Sequence, residues 1–446
     1  MKLKLYPFLL ALALALPTMA QQKDTTANFS LQEAITYAQN HQVNILNAKI
    51  DEQIAVNTVK KTIGIGLPQV SANASFQDFL KVATSLVPGE FFGAPAGTLV
   101  PVKFGVKYNS SVGLDINQLL FDGSYLVGLK ASKTYKELSV KNTGRNRIET
   151  TVAVTKAYYS VLVSNEQLAL IDANLERLKK SLNDTEQMFK NGFVEKIDVD
   201  RLSVLNNNLL TERENVIRLL ALNVNLLKFQ MGMTIGSNLT LKDKISDVNV
   251  DQAQVLSDGL VYNKRIEYSL LQTQKKLNEL DVKRYQSLFL PSLSAFGSTS
   301  ANFQNDRFSD LYDKRFPTSV VGLRLSIPLI SGGQKLYDLR NAKLESLKTD
   351  NNLVNLQNTI ELEVAQAQTT YLNGQKSLEN QKRNMDLAKE VLRVTKIKYD
   401  QGVGSSLEVT TAETSLKEAQ NNYINALYDM LINKVNLDKA LGNINY

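Results

Sequence analysis

The sequence repeats itself, and that repetition limits what the chain can become. Leu67-Pro68-Gln69-Val70 returns as Leu290-Pro291-Ser292-Leu293. Val112-Gly113-Leu114, ending at Asp122-Gly123, returns as Val321-Gly322-Leu323, ending at Ser331-Gly332. Gly192 returns as Gly402, and Met231-Gly232 as Leu441-Gly442. The last three pairs keep an offset of about 210 residues, as an internal duplication does. Each copy reads as helix, strand, loop, strand, very long helix, turn, long helix. The first repeat covers 21–232 and the second 252–446, with an equatorial segment at 233–251 between them.

Residues 1–20 read as a signal peptide. Lys2 and Lys4 form its charged start, Phe8 to Leu16 its apolar core, and Thr18-Met19-Ala20 a small-residue cleavage site before Gln21. No later segment reaches about 18 uninterrupted apolar residues, so a membrane-spanning chain of this sequence must cross with strands. There is no cysteine, which excludes disulfides, a thiolate metal site and a lipidated amino-terminal Cys. The formal charge of +7 is dispersed among Glu and Asp along helices. That pattern belongs to solvated helix faces and not to a nucleic-acid footprint.

Four segments alternate with period two. In the first, Val70, Ala72, Ala74 and Phe76 oppose Gln69, Ser71, Asn73 and Ser75. In the second, Tyr108, Ser110, Val112, Leu114 and Ile116 oppose Asn109, Ser111, Gly113, Asp115 and Asn117. In the third, Leu293, Ala295, Gly297, Thr299, Ala301 and Phe303 oppose Ser292, Ser294, Ser298, Ser300 and Asn302. In the fourth, Val321, Leu323, Leu325, Ile327 and Leu329 oppose Gly322, Arg324 and Ser326. Each is about 10 residues, the length that crosses a bilayer at a tilt. A small, polar second face suits a wet lumen; the competing reading is an ordinary half-buried sheet.

Four strands cannot close a barrel, and an open edge cannot face lipid. Oligomerisation must supply the rest. Three chains give about twelve strands, between a filled eight-stranded barrel and an open sixteen-stranded porin. The loop from Lys81 to Lys107 is long and rich in Gly, Pro and aromatics, and packing at the barrel mouth is its expected role.

Two stretches without proline, Gly123 to about Lys190 and Gly333 to about Gln401, predict helices about 100 Å long. From Val364 through Tyr371, Leu378, Met385 and Leu392 to Tyr399, seam residues step by three and four. Ala419 to Ala440 continue the rhythm, with Leu209, Arg213, Val216, Leu220, Asn223 and Leu227 in the first copy. This is a sustained coiled-coil period. Its frequent Ala, Gly, Thr, Asn and Gln fit helices packed around a wet bore. Helices at Ser30 to Ile65 and Gln252 to Leu288 are about half as long, and Ser30-Leu31-Gln32-Glu33 is a capping-box start. The segment from Gly232 to Val250 should form a small belt.

Enzyme chemistry is not legible. The single histidine, His41, has no cysteine partner, and there is no nucleophile elbow, P-loop or dinucleotide fingerprint. Asp115 and Arg324 look like lumen charges. No cofactor is expected.

The ordered set of parts resembles the TolC-type outer-membrane efflux family over essentially the whole mature chain. Its most specific stretches are Val321 to Gly333, Tyr399-Asp400-Gln401-Gly402 and Leu431 to Gly442. The resemblance implies an α+β membrane protein: a trimeric twelve-stranded β-barrel, four strands per chain, continued by a long periplasmic α-helical barrel. It implies a homotrimer in outer-membrane lipid that meets a periplasmic adaptor and an inner-membrane transporter. It also implies closure at the periplasmic end, at Lys190 to Asp198 and Tyr399 to Thr411. There Tyr399 matches the family's gate tyrosine, Asp198 the aspartate it bonds, and Glu408 an acidic pore-ring position. The helix turns at Gly192, Phe193, Gly402, Val403 and Gly404 would meet the adaptor. The gate arginine of the family falls on Gly404, and its second acidic ring position on Thr411. The implied function is a passive exit duct for small molecules in a tripartite efflux system. A duct for polypeptides, a metal-ion channel, and a pore-free periplasmic coiled-coil protein are the alternatives.

Overall fold

The computed structural model describes residues 27–245 and 261–445; the expected signal peptide lies outside them. Ala27–Phe29 (β1) precedes Leu31–His41 (α1) and Val43–Ile65 (α2). Gln69–Asp78 (β2), Thr84–Pro88 (β3), Leu99–Lys103 (β4) and Tyr108–Phe121 (β5) follow. The long helix Gly123–Lys190 (α3) then turns into Lys196–Met231 (α4), and Leu239–Leu241 (β6) comes next. In the second half, Ile266–Ser287 (α5) leads to Ser292–Asn305 (β7) and Phe316–Ser326 (β8). Gln334–Asp400 (α6) and Ser406–Ala440 (α7) complete the chain. Among the described residues one compact unit gathers 44–148, 261–368 and 437–445, and the other 27–43, 149–245 and 369–436. Helices α3 and α6 contribute to both.

The first unit is built on a four-stranded antiparallel sheet in the order β2-β5-β7-β8. Gln69 pairs with Asn117, Asn117 with Phe296, and Phe296 with Gly322. This register puts the predicted apolar faces of all four strands on one side. Val70, Val112 and Leu323 stand exposed there, and Val321 is 86% exposed, as a lipid-facing surface requires. At the sheet end away from the long helices, the rings of Phe76, Tyr108 and Phe308 pack with centroids 5.6 to 6.3 Å apart. Clusters of this kind at one strand end are what the aromatic girdles of membrane strands look like.

The fourth strand departs from expectation. It begins at Phe316 and ends at Ser326, so Ile327 and Leu329 lie outside it. Pro328 has no N–H to continue the ladder. The long loop is also more than a loop, because β3 and β4 pair as a hairpin around a short 3-10 turn at Gly89–Phe92. The polar face is interrupted by Phe296, whose ring lies across the backbone of Gly322; a Cβ there would sit 2.7 Å from the ring. The Arg324 guanidinium lies 5.1 Å from the same ring centroid.

The second unit is a helical assembly whose core follows the predicted heptads. Ile171, Leu175 and Leu178 of α3 bury against Leu202, Leu209 and Val216 of α4, the latter three each seven apart. Each such buried aliphatic side chain contributes about 1.5–3 kcal/mol relative to exposure. On α6 and α7, Tyr371, Leu392 and Met430 are buried as the seam pattern expects. Above this seam, Ala34 and Ile35 of α1 pack on Val154 and Tyr158 of α3 and on Leu227 and Met231 of α4.

The first predicted helix, Ser30 to Ile65, is in fact two. Gln42 is extended (φ −68°, ψ 127°) between α1 and α2. No Gly or Pro marks this break, which belongs to tertiary packing. Gly232, at the end of α4 with φ +73°, seats its backbone against the carbonyl of His41, and a Cβ there would lie 2.6 Å from that oxygen. The duplicated Gly442 (φ +71°) abuts Lys264 in the same way. Of the segment expected to form a belt, β6 pairs in parallel with β1, and residues 246–250 lie outside the described ones. Ser30 and Glu33 make the capping box. Lys242 and Ser30 hold the Glu33 carboxyl down to about 2. Tyr158 donates its hydroxyl proton to Asp243 (2.8 Å) or the Phe29 carbonyl (3.0 Å), tying the pair to α3.

Gly232→Ala adds a side chain where both the positive φ and the His41 carbonyl forbid one, and should destabilise by about 2 kcal/mol or more. Gly64→Ala, in α2 with nothing within 4 Å of the new carbon, should stabilise by up to about 1 kcal/mol. Thermal unfolding followed by circular dichroism checks both signs.

Candidate functional site

The predicted site residues gather where α3 turns into α4 and α6 into α7, all within the helical unit. Both turns are the same motif. Phe193 N–H donates to Met188 O and Gly192 N–H to Phe189 O; Val403 N–H donates to Lys398 O and Gly402 N–H to Tyr399 O. These are Schellman closures, and they need a left-handed residue after the helix. Gly192 (φ +77°) and Gly402 (φ +75°) supply it, with open space around each. The residue after each glycine, Phe193 and Val403, is 81% and 76% exposed, a bare apolar tip on either turn.

The helices that leave the turns are capped in matching ways. Glu195 and Asp198 form a reciprocal capping box on α4, with Glu195 N–H donating to Asp198 Oδ2 at 3.3 Å. Ser405 Oγ accepts from Glu408 N–H at 3.2 Å. Asp198 and Glu408 therefore occupy the same first-turn position, where the helix dipole favours a carboxylate. Asp198 also meets Arg201 Nη1 at 3.4 Å.

Asp198 and Tyr399 line one cleft of about 1260 Å³ together with Met188, Arg201, Lys396 and Leu407. The expected bond between them is not made within the chain. The Tyr399 hydroxyl is buried without a hydrogen-bond partner among the described residues, and the Asp198 carboxylate meets its own cap and Arg201. Thr411 likewise turns its hydroxyl onto its own helix, donating to Leu407 O at 2.8 Å. Gly404 is tightly wound: a Cβ there would lie 3.0 Å from Tyr399 N and 3.2 Å from Lys398 Cβ. An arginine at 404 would need the turn to shift.

What ties the two helix pairs together lies further from the turns, and sequence reading missed it. Arg177 of α3 holds Glu413 of α7 with two parallel bonds, 3.1 and 3.0 Å, and also donates to Asn174 Oδ1 at 2.8 Å. Asn174 donates in turn to Gln420 Oε1 at 2.6 Å. Glu212 of α4 receives Lys417 and Asn421 of α7. These partners are more than 200 residues apart and have no duplicated counterpart, so neither periodicity nor repetition signals them.

The chain belongs to the outer membrane efflux protein family, which matches residues 67–218 and 265–443. Its function is that of an outer-membrane exit channel of efflux systems. Outer membrane protein TolC of Salmonella enteritidis is 23% identical over 351 residues, covering 76% of this chain and 71% of that protein. The alkaline protease secretion protein AprF of Pseudomonas aeruginosa is 22% identical over 339 residues, covering 73% and 68%. The fold matches the crystal structure of CusC with a TM-score of 0.76 over 93% of this chain and 92% of that one, at 17% identity.

Arg177→Met leaves Glu413, 7% exposed, as a buried charge without its partner. It should cost on the order of 3 kcal/mol, most of it recovered in Arg177→Met/Glu413→Leu; denaturant unfolding of the three proteins tests this. Tyr399→Phe removes a hydroxyl that has no partner among the described residues, so the stability of the single chain should change by no more than about 0.5 kcal/mol in denaturant unfolding.

Proposed function

We propose that three copies close a twelve-stranded barrel, and that the helices continue it as a periplasmic tunnel serving a tripartite small-molecule efflux system. The observation that carries this reading is the four-stranded sheet with two free edges. The outer edges of β2 and β8 have no strand partner among the described residues. Because β2 and β8 run in opposite directions, β8 of one copy can meet β2 of the next in an antiparallel pair. Closure then leaves no backbone group facing lipid.

On this reading the repeats 21–232 and 252–446 place two hairpins per copy around the axis. The exposed turns at Gly192-Phe193 and Gly402-Val403-Gly404 offer apolar tips to a periplasmic adaptor, which couples the channel to an inner-membrane transporter. Asp198, Tyr399, Glu408 and Thr411 stand at the narrow end, with Glu408 forming a single ring of carboxylates. A polypeptide cargo is the second reading, and the likeness to a protease secretion protein supports it.

Native mass measurement in mild detergent should give a trimer; a monomer would sink the closure argument. Three carboxylates held close on one axis attract cations. Glu408→Gln should therefore lower the cation preference of single channels, seen as a smaller reversal potential in a salt gradient.

A further inference from the structure

The polar face of the sheet carries a built feature that conduction alone does not require. Phe296 is a large, half-buried aromatic on a face made mostly of Ser, Asn, Gln, Asp, Thr and Gly, whose other apolar members in the register are Leu119, Phe316 and Val320. Its ring reaches across to β8 and lies on Gly322, the residue paired with it. Two residues along β8 on the same face, the Arg324 guanidinium lies 5.1 Å from the ring centroid. Arg324 makes no ion pair among the described residues. Asp115, a carboxylate of the same face, is bonded by Asn73 and stands level with Ser298, four positions along β7 from Ser294, which faces Arg324.

An arginine held against a ring face keeps its fork of N–H donors free for an incoming anion. The ring beside it offers an apolar surface already stripped of part of its water. Lysine would supply charge without the planar fork. From this geometry we infer that Phe296 and Arg324 form a binding platform on the lumen wall for organic anions with a flat apolar body, such as aromatic sulfonates or carboxylates. Around a trimeric barrel there would be three. The inference rests on the polar face being a water-filled lumen, as proposed above.

The chain has no tryptophan, so Phe296→Trp places a single indole at the platform. The full-length variant in zwitterionic nanodiscs is titrated with 4-nitrobenzenesulfonate and with the neutral 4-nitrobenzenesulfonamide. The sulfonate should quench saturably, with a half-saturation at least about tenfold lower than the sulfonamide, and Arg324→Gln in the same background should erase that difference. Arg324→Lys should keep only part of it. Equilibrium dialysis of the sulfonate against the natural sequence and Phe296→Leu should show at least about threefold weaker binding in the variant. Equal quenching by the two probes, a preference that survives Arg324→Gln, or dialysis unchanged by Phe296→Leu would each overturn the platform. Acrylamide separates this from failure of the lumen reading. If it cannot quench the indole, the face is not a lumen; if it quenches but the sulfonate shows no preference, only the platform fails.

Discussion

Every backbone N–H and C=O inside a bilayer must find a partner, because lipid offers none. The rest of this protein follows from that rule. Four strands satisfy their inner ladders and, among the described residues, leave two edges open, and this is why closure by further copies was proposed. The antiparallel order lets one edge answer the other in a neighbouring copy. On the proposed barrel the polar face is wet and the apolar face meets lipid, which accounts for the alternation in each strand. An assembly around an axis then asks the remaining chain for elements that can also be shared between copies, and long helices with small, polar seams meet that need.

The duplication supplies the parts in pairs, and the structure shows which pairs stayed equivalent. The two turns keep the same closure, the same glycine and the same capped carboxylate position. The seats of Gly232 and Gly442 persist as close backbone contacts. Their neighbours have diverged. Gln42 marks the break beside the first, whereas beside the second stands Arg265, 6% exposed, bonded to Glu267, Glu363 and the Ala440 carbonyl. The ties from Arg177 and Glu212 to α7 are also one-sided. Repetition preserved backbone geometry, while polar side chains made each half distinct.

Much of this was legible in the sequence. Strands with alternating faces and helices with a sustained seam carry their structure in local periods, and Leu202, Leu209 and Val216 bury as that period demands. What was not legible depends on partners far away. Nothing in the sequence near Gln42 announces a break; what meets it there is Gly232, about 190 residues away in the sequence. The hairpin of β3 and β4 hides in a segment whose Gly and Pro content reads as loop. Tyr399 and Asp198 line one cleft, while Asp198 is engaged locally by Glu195 N–H and Arg201, contacts that the helix spacing alone does not announce. Phe296 escaped because it breaks the very alternation used to find its strand.

The ring of Phe296 lying on Gly322 has a consequence for how such sequences can drift. Any side chain at 322 takes the space the ring occupies, and any smaller residue at 296 removes the reason for a glycine opposite. Position 296 can change while 322 stays glycine, but a side chain at 322 needs the ring at 296 to move or shrink. The duplicated Gly113 carries no such bond to an aromatic: it faces Ser300 and Asn73, and its crowding comes from the Thr299 carbonyl and Ser300. One inherited glycine has thus acquired two histories. Among related chains, substitution at 322 should be read jointly with 296, while 113 follows the backbone of its neighbouring strand alone.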